Sequence, residues 1–324
     1  MAIENLDPFS QIIGQTSAVD LLKAAIKRDR IAPAYLFAGT PGIGRALTAT
    51  AFATILIQDH KSTHRIHDRN HPDLLWVEPT YLDRGKLLTA SQAAEQGLKR
   101  RAAPQIRLEQ VRSIAEFLSK PPLESQRSIV VIEDAHTMAE AAANGLLKTL
   151  EEPGHGTIIL IAPAAGNLLP TIVSRCQLIP FYRLSVAQVQ LVLGKLGYSD
   201  LQLQILDLAQ GSPGTALMAI DKLAEIPDEI LEALEQIPAQ PIAALTTAKQ
   251  IAKDLDIETQ LWLIEYLQNY FWRLYQGRSL HLPQIIQCLE QAHKLLNGYV
   301  QPRLVWEVTF LKMTDLRSGR LAIV

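Results

Sequence analysis

Two groups of residues have types and spacing that could do chemistry. The first is a glycine-rich stretch, Ala38-Gly39-Thr40-Pro41-Gly42-Ile43-Gly44-Arg45-Ala46, set between the apolar run Ala34-Tyr35-Leu36-Phe37 and the segment Leu47 to Gln58. Strand, glycine loop and helix are the setting of the phosphate-binding loop G-x-x-x-x-G-K-[ST], where backbone N–H groups and a helix N-terminus face an anion. Gly39 and Gly44 keep that spacing, with Gly42 between them. The next two positions depart from it. Arg45 stands where a lysine reaches the β/γ-phosphates, and Ala46 stands where a hydroxyl holds magnesium. Arginine keeps the charge but is a planar fork rather than a compact point charge. The stretch thus reads either as a nucleotide site or as a strand-to-helix turn that kept its shape without its ligand.

Glu133-Asp134, closing the run Ser128 to Ile132, belongs to the same group. An active site of this kind places Asp on the magnesium shell and a following Glu on the attacking water; here the two acids are reversed, leaving a weak cation site or two carboxylates in a polar crevice. The second group is Ser174-Arg175-Cys176. Its arginine is either a surface residue in a salt bridge or an arginine finger that reaches a nucleotide on a neighbouring subunit.

These groups need elements to position them. Apolar runs at Ala34–Phe37, Leu74–Val77, Ser128–Ile132, Thr157–Ile161 and Leu178–Phe181 predict strands buried on both faces. Helices are expected between them: one capped by Thr16 or Ser17, then Leu47–Gln58, the amphipathic stretch Leu108–Leu118 and Ala139–Leu150. Asp59–Asn70 and residues 80 to 105 are polar and predict loops. Strands alternating with helices indicate a parallel, helix-covered α/β sheet. Beyond Tyr182, Ser185 caps a helix that Gly197 stops, Gly211-Ser212-Pro213-Gly214 marks a break, and from about Pro227 only helices are expected. The expected domains are 1–182, a small helical domain 183–226 and an all-α domain 227–324.

Composition narrows the class. Apolar residues at 48%, charged residues at 20% and a net charge of -2 describe an ordinary globular chain without the basic excess of a strong polyelectrolyte binder. Two cysteines, Cys176 and Cys288, give no disulfide framework and suit a reducing cytoplasm. The N-terminus carries no signal-peptide pattern, and no apolar run is long enough to span a bilayer.

Taken together, Glu133-Asp134-Ala135-His136-Thr137-Met138, Asn144-Gly145-Leu146-Leu147-Lys148-Thr149-Leu150-Glu151-Glu152-Pro153 and Ser174-Arg175-Cys176 resemble the AAA+ subunits of clamp loaders. Phe9 to Gln15, His71-Pro72-Asp73-Leu74 and Ile106 to Arg112 add to the likeness, and Asn297, Pro302-Arg303-Leu304 and Glu307 resemble that family's last collar helix. An altered loop beside an intact Ser-Arg-Cys resembles the delta-prime type within bacterial DNA polymerase III. The resemblance implies an AAA+ P-loop domain, a helical lid and a helical collar. It implies no catalysis and no cofactor of the chain's own, the ATP being bound by a neighbouring gamma/tau subunit to which Arg175 is presented. Implied partners are the delta and gamma/tau subunits and, through the complex, the sliding clamp and primer-template DNA, in the cytoplasm. The alternative is an active gamma/tau-type ATPase with an unusual loop.

The sequence departs from the family pattern in two places. The family's cysteine-rich zinc module is missing; the stretch carries His60, His64 and His67, with His71 beyond, and these read as solvated-loop histidines rather than a metal site. Ala162-Pro163-Ala164 and Gly211 to Leu217 lack the polar residue and the arginine of an active ATPase. Lys86, Lys99-Arg100-Arg101 and Arg107 read as a solvated basic stretch rather than a phosphate-contacting patch. Trp262, Tyr266, Tyr270, Phe271, Trp272 and Tyr275 read as helix core and subunit interface.

Overall fold

Five apolar runs become the five strands of one parallel sheet: β1 (Ala34–Ala38), β2 (Leu74–Val77), β5 (Ser128–Ile132), β6 (Gly156–Ala162) and β7 (Gln177–Pro180). A separate antiparallel hairpin, β3 (Tyr81–Asp83) with β4 (Lys86–Leu88), stands apart from it. The main sheet runs in the order β2-β5-β6-β1-β7. The computed structural model describes residues 7–58, 63–83, 85–95, 103–198, 203–234, 237–275 and 282–317. They form two compact units, Met1–Ser199 with Gly211–Gly214, and Asp200–Gln210 with Thr215–Val324.

In the first unit the helices are α1 (Thr16–Lys27), α2 (Arg45–Ile57), α3 (Thr63–His67), α4 (Ala90–Glu95), α5 (Leu108–Ser119), α6 (Glu140–Glu151), α7 (Pro170–Val173) and α8 (Val186–Lys195). Strand side chains alternate between two helix layers, which is why the strands read as unbroken apolar runs. Leu36, Val130, Ile132, Ile158 and Leu160 share one core with Val111 and Ile114 of α5 and Leu146 and Leu150 of α6. On the opposite face Tyr35 meets Phe52 of α2 edge to face, with ring centroids 5.2 Å apart. This α/β frame sets the glycine loop at the C-terminal end of β1 and Glu133-Asp134 at the C-terminal end of β5, with β6 between them. Crevices at that edge, where the strand order reverses, are where open α/β sheets bind ligands.

Several local expectations change. Thr16 and Ser17 do not cap α1; the helix begins at Thr16, and Gln15 precedes it without capping through its side chain. Residues 80 to 105 contain β3, β4 and α4 rather than loops alone, and the polar stretch before β2 contains α3. Ser185 does cap α8: its Oγ accepts from Gln188 N at 3.3 Å, and the Gln188 side chain accepts from Ser185 N at 2.9 Å.

The second unit is helical: α9 (Leu203–Ala209), α10 (Pro213–Glu225, whose first two residues belong to the first unit), α11 (Asp228–Leu234), α12 (Pro241–Asp254), α13 (Ile257–Tyr275), α14 (Leu282–Asn297) and α15 (Pro302–Arg317). Its core takes one face from each of α12 to α15, including Ile251, Leu263, Phe271, Leu289 and Trp306. The buried polar groups there are paired. Trp306 donates to Gln260 Oε1 at 2.9 Å, and Gln260 Nε2 donates to Leu255 O at 2.8 Å. Trp262, Tyr266, Tyr270 and Tyr275 pack half-buried against this core, whereas Trp272 points outward at 64% exposure. Among the described residues no helix is long and apolar enough to cross a membrane.

Candidate functional site

The glycine loop folds as a tight turn held from three sides. Gly42 (φ 74°) and Gly44 (φ 98°) take the left-handed conformation that L side chains rarely adopt. Below the loop, Gln15 is buried and ties it to the end of β7: Nε2 donates to Ile43 O at 3.1 Å and to Tyr182 O at 2.7 Å, while Oε1 accepts from Tyr182 N at 3.1 Å. From above, the segment Gly211–Gly214 closes on it. Gly214 N donates to Gly42 O at 2.9 Å, and Ser212 Oγ donates to Pro41 O at 2.8 Å. The approach is so close that a Cβ on Gly42 would lie 2.5 Å from Ser212 Oγ and 2.9 Å from Gly214 Cα. Here the Gly214 backbone rests directly on the backbone of Gly42.

Arg45 opens α2 yet is only 6% exposed. Its Nη1 is buried without a hydrogen-bond partner, as is Thr40 Oγ1. Burial pulls the guanidinium below its ordinary pKa, against the opposing charges of Asp134 and Glu133. The loop cation and the β5 carboxylates are therefore close enough to feel one another. Glu133 is already engaged: Trp76 Nε1 donates to its Oε2 at 2.8 Å, and Arg69 Nη2 lies 3.3 Å from the same oxygen. Arg69 also pairs with Glu78 and stacks 4.1 Å over the Trp76 ring. Asp134 adopts φ 46°, and its carbonyl accepts both Thr137 N and Thr137 Oγ1 at 2.8 Å. The phosphate-binding pattern has a lysine and a hydroxyl residue at the start of its helix, and Arg45 and Ala46 occupy those positions here.

Sequence reasoning did not find the cavity beside this loop. It has a volume of about 770 Å³ and is walled mainly by apolar side chains, among them Ile12, Ile43, Leu47, Leu184 and Val192. The signal for it was dispersed over separate segments of the chain.

Arg175 sits in a different setting, in the corner between α7 and β7. Buried Ile172 anchors that corner, and Arg175 N donates to Ile172 O at 3.1 Å. The side chain is 35% exposed. Its Nε donates to Glu151 Oε1 at 2.8 Å, Nη2 contacts the same oxygen, and Nη1 donates to Thr171 O at 2.9 Å. Cys176 beside it packs against the sheet core, and burial pushes its thiol up to about 12.

The histidines separate. His64 and His67 are exposed on and at the end of α3, but His71 is buried rather than on a solvated loop, with its Nδ1 accepting from Asp73 N at 3.1 Å. His60 and Lys99-Arg100-Arg101 lie outside the described residues. Among the described residues no group of three His, Cys, Asp or Glu side chains is placed to hold a metal ion.

The family model for "DNA polymerase III, delta subunit" matches residues 14–185, more than half of the chain. The model for the "Cyanobacterial DNA polymerase III delta prime, C-terminal domain" matches residues 187–313. Among curated proteins, DNA polymerase III subunit delta prime of Bacillus subtilis (strain 168) is 32% identical over 186 residues, covering 54% of this chain and 50% of that protein. DNA polymerase III subunit gamma/tau of Mycoplasma pneumoniae is 25% identical over 233 residues, covering 67% of this chain and 31% of that protein. The chain thus spans half the length or less of these relatives. A crystal structure of a DNA polymerase III gamma subunit-related protein from Thermotoga maritima has the same fold, with TM-score 0.55 at 15% identity over 93% of this chain and 99% of that one. With one family model covering most of the first unit and a delta prime model covering most of the remainder, the chain belongs to the DNA polymerase III delta-prime family of clamp-loader subunits.

Proposed function

We propose that this chain is a non-hydrolysing subunit of a clamp loader, and that it lends Arg175 to ATP held by an adjacent gamma/tau-type subunit. The observation that carries the reading is the contrast in access. The loop cation Arg45 is buried beneath a turn closed by Gly214, whereas Arg175 stands exposed on a surface corner. Hydrolysis builds charge on the γ-phosphate, and a guanidinium offered across an interface stabilises it, by about 10³- to 10⁵-fold in GTPases. A subunit with no hydrolytic site of its own then still contributes to its neighbour's rate. In this reading the helical second unit joins the collar that holds delta and gamma/tau together, and the assembly acts in the cytoplasm on a sliding clamp and primer-template DNA.

Reconstitution with delta and gamma/tau partners tests it. Arg175→Ala leaves assembly intact and lowers ATP hydrolysis by the complete loader; equal rates in variant and wild type would remove the role. The isolated chain with ATP and magnesium shows no turnover, and turnover there would favour the active-ATPase alternative.

A further inference from the structure

We propose that Glu151 is a positioning residue that holds the Arg175 guanidinium in reserve and yields it to the neighbour's γ-phosphate. This rests on the trans-arginine reading above. Glu151 is the last residue of α6, a helix anchored by buried Ala142, Leu146 and Leu150, so its carboxylate projects from a fixed base. The C-terminal end of a helix carries partial negative charge and favours a cation beside it. Arg175 meets that carboxylate, although 24 residues of sequence separate it from Glu151.

The geometry puts Glu151 on the edge of the Arg175 guanidinium that a side-on phosphate would need. Nε and Nη2, one of the two edges with which a guanidinium grips two oxygens of a carboxylate or phosphate, are both directed at Glu151 Oε1. Nη1 is taken by Thr171 O at 2.9 Å. A phosphate in the forked position must therefore displace Glu151. The exchange is accessible because the pair is exposed, at 35% for Arg175 and 51% for Glu151, and exposed pairs are held weakly. A γ-phosphate carries more charge than a carboxylate, and it meets the guanidinium in an interface that excludes water, where attraction is stronger. Glu151 thus keeps the finger folded on its own subunit until a nucleotide-loaded neighbour closes on it.

The test is the ATPase of the complete loader, without clamp or DNA, carrying Glu151→Ala or the isosteric Glu151→Gln. Both variants raise turnover at subsaturating ATP by about 2- to 5-fold, the range set by losing one exposed ion pair. The apparent KM for ATP falls more than kcat changes. The rise disappears when Arg175→Ala is added, and Glu151→Asp, which retains the charge, returns the rate toward wild type. An unchanged or lower rate in Glu151→Gln, in a loader where Arg175→Ala alone lowers hydrolysis, overturns the role of Glu151 and leaves the trans-arginine reading standing. If Arg175→Ala itself has no effect, both fall together.

Discussion

Arg45 and Arg175 are the two arginines at candidate sites, and their settings are opposite. Arg45 is 6% exposed, with one terminal nitrogen unpaired and two carboxylates near enough to oppose its desolvation. Arg175 directs three donors at Glu151 and Thr171 on an open corner. A buried cation surrounded by its own chain is part of the frame. An exposed cation held by a weak pair is available to a partner. On the proposed reading, the arginine that acts is Arg175 and not the one in the better-known motif.

That contrast predicts a double dissociation: changes around the glycine loop register in stability, and changes at Arg175 register in the loader's ATPase. The largest stability loss is expected for Gly42→Ala, about 3 kcal/mol, because a left-handed backbone and a clash with the 211–214 segment add together. Denaturant unfolding of the isolated chain measures it. A loss of loader ATPase beyond the loss of folded chain would break the contrast. Asp73→Ala follows at about 2 kcal/mol, since its carboxylate accepts from Leu123, Glu124 and Ser125 N at 2.6 to 2.8 Å, just ahead of the strand whose Trp76 holds Glu133. Burial works to raise the Asp73 pKa, but those hydrogen bonds outweigh it and hold the group below its ordinary value. With the folded pKa depressed, its contribution is complete above the unfolded value of about 3.9 and is lost as pH falls through the folded value. Asp73→Asn flattens that acid limb of the stability curve; an unchanged limb would mean the shift has no weight in folding.

Smaller effects sharpen the comparison further. Gly44→Ala meets open space and carries only backbone strain, about 1 kcal/mol. Arg45→Met removes a desolvated charge and changes stability by no more than about 1 kcal/mol in either direction, with loader ATPase unchanged. A large ATPase loss there would mean that the loop still grips a phosphate. Arg175→Ala shifts stability least, within about 0.5 kcal/mol, because its ion pair with Glu151 is exposed.

The sequence carried the sheet well for a physical reason. Strands covered on both faces must be apolar throughout, so Ser128–Ile132 and Thr157–Ile161 stand out from any helix pattern. The hairpin Tyr81–Leu88 did not stand out, because its strands are three residues long, and Lys86 and Leu82 face solvent. The replaced residues Arg45 and Ala46 were legible from the loop spacing, but the fate of Arg45 was not. The carboxylates that act on it, Asp134 and Glu133, follow β5 and are remote in the chain. His71 looked like its exposed neighbours, although the turn it forms with Asp73 buries it. Glu151 was visible within its Leu-Glu-Glu-Pro run, but no pattern within one segment could link it to Arg175 across β6 and α7.

The most direct test of the account is single-turnover ATP hydrolysis in a reconstituted loader in which only the gamma/tau site adjoining this chain retains a functional P-loop. Comparing wild type with Arg175→Ala and Arg175→Lys in this chain isolates the arginine's effect on one site. The account predicts a fall of about 10³-fold for Arg175→Ala, with little recovery by lysine, which lacks the planar fork. Equal single-turnover rates for the three loaders would contradict it.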